Sequence, residues 1–269
     1  MIRLITIDLD GTLLDNEKNI SEKNKLAIKR CHDNDVKIVL ATGRPINGVM
    51  RYLNELGLTT KNDYVICYNG AKTFNVGTNE IVISSTINGK IVKELYQKSK
   101  ELDVDFHAFR FNEELITPKA NPYTDVEATI NKIDYHLFDF NDIKDDELFL
   151  KAMMVSSDEN ITRIIPINEE LYGNDYSILR SSKIFLEFLN KNIDKGQALE
   201  GLAKYLNINI NETMSIGDAG NDIPMIKKAG VGVAMENAFL EVKKSADYIT
   251  LSNLNDGVSY AINKFVFGE

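Results

Sequence analysis

Cysteine is scarce in this chain: Cys31 and Cys67 are the only two in 269 residues. Both lie in apolar or helical surroundings, which predicts two buried thiols rather than a disulfide framework or half of a zinc site. Long apolar runs are also missing. None approaches the ~20 residues that a bilayer-spanning helix needs. The opening residues Met1 to Ile7 run into Asp8 too soon for a signal peptide, so a cytoplasmic protein is expected. Basic residues are in deficit, 31 Lys and Arg against 40 Asp and Glu, for a net charge of −9. Such a surface repels a phosphate backbone and anionic lipid, which argues against nucleic acid or membrane as the main partner. An anionic ligand would have to be drawn in by a local positive field. There is no internal repeat and no low-complexity segment.

What is present suffices for a buried core without metal or disulfide support, since hydrophobic residues make up 43%. The length suits two modest domains. Leu4-Ile5-Thr6-Ile7 is a short continuous apolar run, as expected of a strand covered on both faces. Ser21 can cap a following helix whose apolar stripe includes Leu26 and Cys31. Val36 to Leu40 repeats the buried-strand pattern, and a helix through Met50, Leu53 and Leu56 leads to a strand at Tyr64 to Cys67. Near the other end, a helix follows Lys195, with Leu199, Leu202 and Leu206 on one stripe. Strands are expected at Met214 to Ile216, Val231 to Ala234 and Tyr248 to Ile249, with Pro224 in the first turn of a helix. This alternation predicts right-handed βαβ units in a doubly wound, mostly parallel α/β sheet.

The middle reads differently. Its strands alternate more and its loops carry more charge, as in Asp142 to Glu147. Strands at Asp105 to Arg110 and Phe149 to Val155, with helices near 89–102 and 158–172, predict an inserted α+β domain over residues 84–187. The α/β core would then comprise residues 1–83 and 188–269.

Four polar clusters sit where the core's strands or helices begin or end. Asp8-Leu9-Asp10-Gly11-Thr12-Leu13 follows the first buried strand, and in open α/β sheets sites form at the carboxyl ends of strands. A turn bearing surface aspartates would look similar. An EF-hand calcium loop would need a preceding helix and its glycine at the sixth position. Thr42-Gly43 ends the next strand, where a hydroxyl and a backbone N–H can hold a phosphoryl oxygen. Lys195-Gly196 opens a helix, a place where lysine is usually solvated. Gly217-Asp218-Ala219-Gly220-Asn221-Asp222 crowds two carboxylates and an amide into one strand–helix loop, where Asn221 or Asp222 could equally serve as N-cap.

In this order, the four clusters resemble the motifs of the haloacid dehalogenase (HAD) superfamily of phosphotransferases. The segments Ala41-Thr42-Gly43-Arg44-Pro45, Tyr68-Asn69-Gly70-Ala71 and Ala229 to Met235 are similar to its Cof-type branch (subfamily IIB), YidA-like sugar phosphatases in particular. The resemblance spans nearly the whole chain and is weakest in the middle. It implies a Rossmann-like core with an α+β cap of type C2B that closes over the site and excludes water. It makes Asp8 the nucleophile that becomes phosphorylated and Asp10 the general acid and base. Asp8, the Asp10 carbonyl and Asp218 would bind Mg²⁺, with Asp222 supporting the metal site or orienting Lys195. Lys195, Thr42, Gly43 and Asn221 would hold the phosphate, with Arg44 and Asn69 in support.

The implied substrate is a small phosphorylated metabolite, a sugar phosphate in first place. A phosphomutase would share these motifs, and a non-catalytic phosphometabolite-binding regulator could reuse the pocket. In the insertion, strand alternation puts Phe106 and Ala108 toward covering helices and turns Asp105, His107 and Phe109 the other way. Leu150, Ala152 and Met154 would likewise take the helix side and Lys151 the other. His107 and Lys151 are then candidates for reading the sugar, or else ordinary half-exposed strand residues.

Overall fold

The computed structural model describes residues 1–269. In chain order its strands are β1 (Leu4–Ile7), β2 (Lys37–Ala41), β3 (Tyr64–Cys67), β4 (Lys72–Asn75), β5 (Ile81–Ser84), β6 (Ile87–Asn88), β7 (Asp105–Arg110), β8 (Leu115–Thr117), β9 (Tyr135–Leu137), β10 (Leu148–Val155), β11 (Tyr176–Ser182), β12 (Phe185–Asn190), β13 (Thr213–Gly217), β14 (Val231–Ala234) and β15 (Tyr248–Ile249). The helices are α1 (Glu22–Asp33), α2 (Ile46–Leu56), α3 (Gly89–Glu101), α4 (Pro122–Asn131), α5 (Asp158–Tyr172), α6 (Lys195–Tyr205), α7 (Ile223–Lys228), α8 (Leu240–Ser245) and α9 (Gly257–Ile262). The chain divides into two compact units. One holds Met1–Gly43, Met50–Ser84 and Asp194–Glu269; the other holds Arg44–Val49 and Ser85–Ile193.

The first unit is built on one sheet in the order β15-β14-β13-β1-β2-β3-β4-β5. Pairing is parallel from β15 through β3, and β4 and β5 add antiparallel strands at one edge. Leu4, Val39, Ala41 and Ile66 pack with Leu199 and Leu202 of α6. The alternate residues Ile5, Ile7, Ile38 and Leu40 are equally buried, as continuous apolar strands require. Ser21 caps α1 through the Asn24 N–H. The stripe of α1 runs through Ala27, Ile28 and Cys31, whereas Leu26, expected to face inward, is 65% exposed. Both cysteines are free and buried, and burial pushes the Cys31 thiol up to about 12, so it is a poor nucleophile at neutral pH.

The second unit carries a mainly antiparallel sheet in the order β11-β12-β10-β7-β8-β9, with β6 paired to β10. Phe106, Ala108, Ala152 and Met154 join Ile91 and Leu95 of α3 and Ile161 and Ile164 of α5 in one core, the face the alternation predicted. Leu150 departs from that pattern. The β7–β10 register shifts between Phe149 and Lys151, so Phe149 enters this core in its place. The insertion boundary expected after residue 187 would cut through β12; the second compact unit runs through Ile193 instead.

His107 and Lys151 lie away from the helix-covered core, yet neither is half-exposed: their relative exposures are 0% and 1%. His107 Nδ1 is 2.9 Å from Thr124 Oγ1 of α4, and Nε2 is 3.1 Å from Met153 Sδ. Lys151 Nζ pairs with Glu187 at 3.1 Å, has Glu127 at 3.9 Å, and lies 5.2 Å above the Phe109 ring. Both are therefore members of a buried polar network, because β7 and β10 are covered on this side as well.

Burial, reinforced by the charge of Lys151, lowers the His107 pKa from 6.5 to about 3. A depressed histidine contributes stability above its unfolded pKa and loses it as pH falls through 6.5 toward 3. Between pH 7 and 5 this one group should cost about 2 kcal/mol. Urea unfolding of wild type and His107→Gln should show that extra acid sensitivity in the wild type alone. Equal slopes against pH would contradict a buried neutral imidazole.

Candidate active site

Strand β1 delivers Asp8 into a turn whose shape depends on Gly11. Its φ is +88°, and a Cβ there would come within 2.5 Å of Asp218 Oδ2. Thr12 Oγ1 donates to Asp218 Oδ1 at 2.7 Å, tying the β1 loop to the loop after β13. The motif contained Thr12, but its reach to Asp218, across adjacent strands, could not be read from spacing. Asp10 is partly exposed and accepts from Lys18 Nζ at 2.7 Å.

Lys195, the first residue of α6, is fully buried rather than solvated. Its Nζ donates to Asp8 Oδ1 at 2.5 Å and to Asp222 Oδ1 at 2.7 Å. Asp222 stands at the N-cap position of α7 without capping it. Its Oδ2 instead accepts the backbone N–H groups of Asp218 and Ala219, each at 3.0 Å. Asp222 thus holds the loop and Lys195 together.

Burial and the Asp222 carboxylate push Asp8 well above the ordinary carboxylate value, with Lys195 pulling against them. For Lys195, burial opposes the charge, but Asp222 and Asp8 outweigh it and drive the pKa up. Lys195 is therefore an ammonium, and the strain falls on the crowded carboxylates. Asp218 is raised to about 6, by burial and then by Asp222, despite the hydrogen bond from Thr12.

A second group of residues is neutral. The Asn69 N–H donates to the Thr42 carbonyl at 3.0 Å, and Asn221 Nδ2 donates to Asn69 Oδ1 at 3.0 Å. Asn69 has left-handed backbone angles, φ 55° and ψ 30°, which its short polar side chain tolerates. Gly70 brings this turn against α6: a Cβ on it would lie 2.4 Å from the Asp194 carbonyl oxygen. The first unit therefore gathers Asp8, Asp10, Thr42, Gly43, Asn69, Lys195, Asp218, Asn221 and Asp222. Arg44, the residue after Gly43, groups with the second unit, where it donates to the Gly48 carbonyl and its charge acts on Glu127.

Asp8, Asp218 and Asp222 each place a carboxylate oxygen within 4.8 Å of the others. Three carboxylates against one ammonium leave a local excess of negative charge, which a hard divalent cation would neutralise. Asp222 already spends both oxygens on Lys195 and the loop, so Asp8 and Asp218 are the better ligands. The donor set fits Mg²⁺.

A parallel sheet with acidic loops on two adjacent strands and a buried lysine between them defines an α/β enzyme core with a carboxylate–lysine site. The chain belongs to the haloacid dehalogenase-like hydrolases, whose family model matches residues 5–262. It is similar to a Bacillus subtilis (strain 168) protein provisionally named phosphatase YxeH, 39% identical over 271 residues and covering 100% of both chains. Among solved structures, a haloacid dehalogenase-like hydrolase from Bacteroides thetaiotaomicron matches with a TM-score of 0.86 and 32% identity, over 98% of this chain and 99% of that one. The HAD subclass IIB sugar phosphatase BT4131 matches with a TM-score of 0.82 and 26% identity, over 98% of each chain. The chain is thus an enzyme of a phosphatase family. No helix is long and apolar enough to cross a membrane.

Proposed function

We propose that this enzyme is a Mg²⁺-dependent cytoplasmic phosphatase that hydrolyses small phosphorylated metabolites, sugar phosphates in particular, through an aspartyl-phosphate on Asp8. The observation that carries this reading is Lys195 Nζ, buried at 2.5 Å from Asp8 and 2.7 Å from Asp222. A lysine held so close to a carboxylate at a strand's carboxyl end is placed to accept the charge of a phosphoryl group arriving at that carboxylate.

Asp8 attacks phosphorus with a carboxylate oxygen, forming the P–O bond of the acyl phosphate as the bond to the leaving oxygen breaks. Asp10 gives its proton to that oxygen, then takes one from the water that attacks phosphorus and releases Asp8. Lys195, Thr42, Asn221 and the Gly43 N–H orient the phosphoryl oxygens, with Asn69 buttressing Asn221. Asp8, the Asp10 carbonyl and Asp218 would hold Mg²⁺, which when bound would offset the repulsion between nucleophile and phosphate. Apart from Asp10, which protonates any leaving oxygen alike, these groups address the phosphoryl group, so discrimination among leaving groups has to come from residues outside this set.

A panel of phosphorylated metabolites assayed for free phosphate tests the reading. Release from one or more sugar phosphates is expected. Isomerised product without free phosphate would identify a mutase, and silence across the panel would leave a binding protein. Chelation should abolish turnover, Mg²⁺ should restore it, and Ca²⁺ should not, because its looser coordination misplaces nucleophile and phosphorus. Full activity in EDTA or in Ca²⁺ would contradict the metal assignment.

A further inference from the structure

Two asparagines outside the four motifs hold the loop that carries Asp10. Asn237 Nδ2 donates to the Gly11 carbonyl at 2.8 Å, and Asn253 Nδ2 donates to the Leu14 carbonyl at 2.8 Å. The two are coupled, since the Asn253 N–H donates to Asn237 Oδ1 at 2.9 Å. Between the clamped carbonyls the loop coils tightly: the N–H groups of Thr12, Leu13 and Leu14 all point to the Leu9 carbonyl. Asp10 and Leu14 form a bridge across it. The segment bearing Asn237 also touches the other acidic loop, through the Met235 N–H on the Gly217 carbonyl and the Phe239 N–H on the Asp218 carbonyl. One short stretch, Met235–Phe239, therefore spans both acidic loops.

We propose that Asn237 and Asn253 are positioning residues that set where Asp10 stands relative to Asp8 and Asp218. The proposal rests on the role given to Asp10 above. It follows from geometry: the two loops already approach to the limit that Gly11 allows, and both clamped carbonyls lie just after Asp10, in the turn that Asp10 and Leu14 bridge, so releasing either lets that turn shift. Asn237 is exposed, so truncating it removes hydrogen bonds without opening the core. Truncating Asn253 leaves its backbone N–H, and hence the link to Asn237, in place.

Asn237→Ala and Asn253→Ala should each lower kcat for an alkyl phosphate about tenfold or more, since a misplacement of about 1 Å can cost about a hundredfold. KM should change little. The loss should be several times smaller for p-nitrophenyl phosphate, whose leaving group needs no proton. Asp10→Asn provides the control, and each asparagine variant combined with it should be no slower than Asp10→Asn alone. Additive losses, or equal losses for both substrates, would overturn the clamp while Asp10→Asn itself discriminates. If Asp10→Asn fails to discriminate, the acid–base role of Asp10 falls and the clamp with it. Unfolding midpoints near wild type are expected; a loss of kcat that merely tracks lost stability would also overturn it.

Discussion

Asp8→Asn should lose more than about a thousandfold in turnover and remain folded, because an amide keeps the shape of the carboxylate but cannot attack phosphorus. The same substitution should leave stability unchanged or raise it. Asp8 is buried beside Asp222 and pushed well above the ordinary carboxylate range, so its charge is a cost of the folded state. Asn removes that charge, while Lys195 keeps Asp222 as its partner at 2.7 Å. The trade is the one expected where a site is tuned for chemistry rather than stability. Steady-state kinetics and thermal unfolding of the one variant test both halves. Turnover within tenfold of wild type would remove Asp8 from its role, and a marked drop in stability would mean that the carboxylate is structural.

Lys195→Met should strongly destabilise the first unit. It leaves Asp8 and Asp222 without the ammonium they share, and both are buried, at 6% and 0% exposure. Breaking a buried ion pair from one side typically costs about 3–5 kcal/mol, a large part of a domain's stability. Activity should vanish as well, since the ammonium placed to face the phosphoryl oxygens would be gone. The double variant Asp8→Asn, Lys195→Met should recover part of the lost stability and none of the activity, because one of the two stranded carboxylates is gone. Urea unfolding of the four-member cycle measures this coupling. If Lys195→Met is as stable as wild type, the buried triad is not paired in solution as described.

The sequence was most informative where a functional residue adjoins the element that positions it. Asp8 and Asp10 follow the short, largely apolar strand Leu4–Ile7, and Asp218 follows the buried strand Thr213–Gly217, so their place at a sheet's carboxyl edge was legible from local pattern. The helix Asp158–Tyr172 and the strand Asp105–Arg110 were equally plain, because periodicity and charge agree there. Much of the second unit was not. The strands Leu115–Thr117 and Tyr135–Leu137 are three residues each, too short to show alternation, and helix Pro122–Asn131 has a weak apolar stripe.

By itself, then, the sequence determined the α/β class of the core, the order of its acidic loops and which residues are the candidates for its chemistry. These are properties of local pattern and of residue type. Tertiary structure alone decided that Lys195, 187 residues from Asp8 and 27 from Asp222, is a buried bridge between them. It also decided that Asp222 serves Lys195 and the loop, that Arg44 groups with the second unit, and that His107 and Lys151 are enclosed. Alternation along a strand says which way a side chain points, but not whether another element covers that face. The bulge that exchanges Leu150 for Phe149 shows how even the direction is lost, because one extra residue inverts the pattern beyond it.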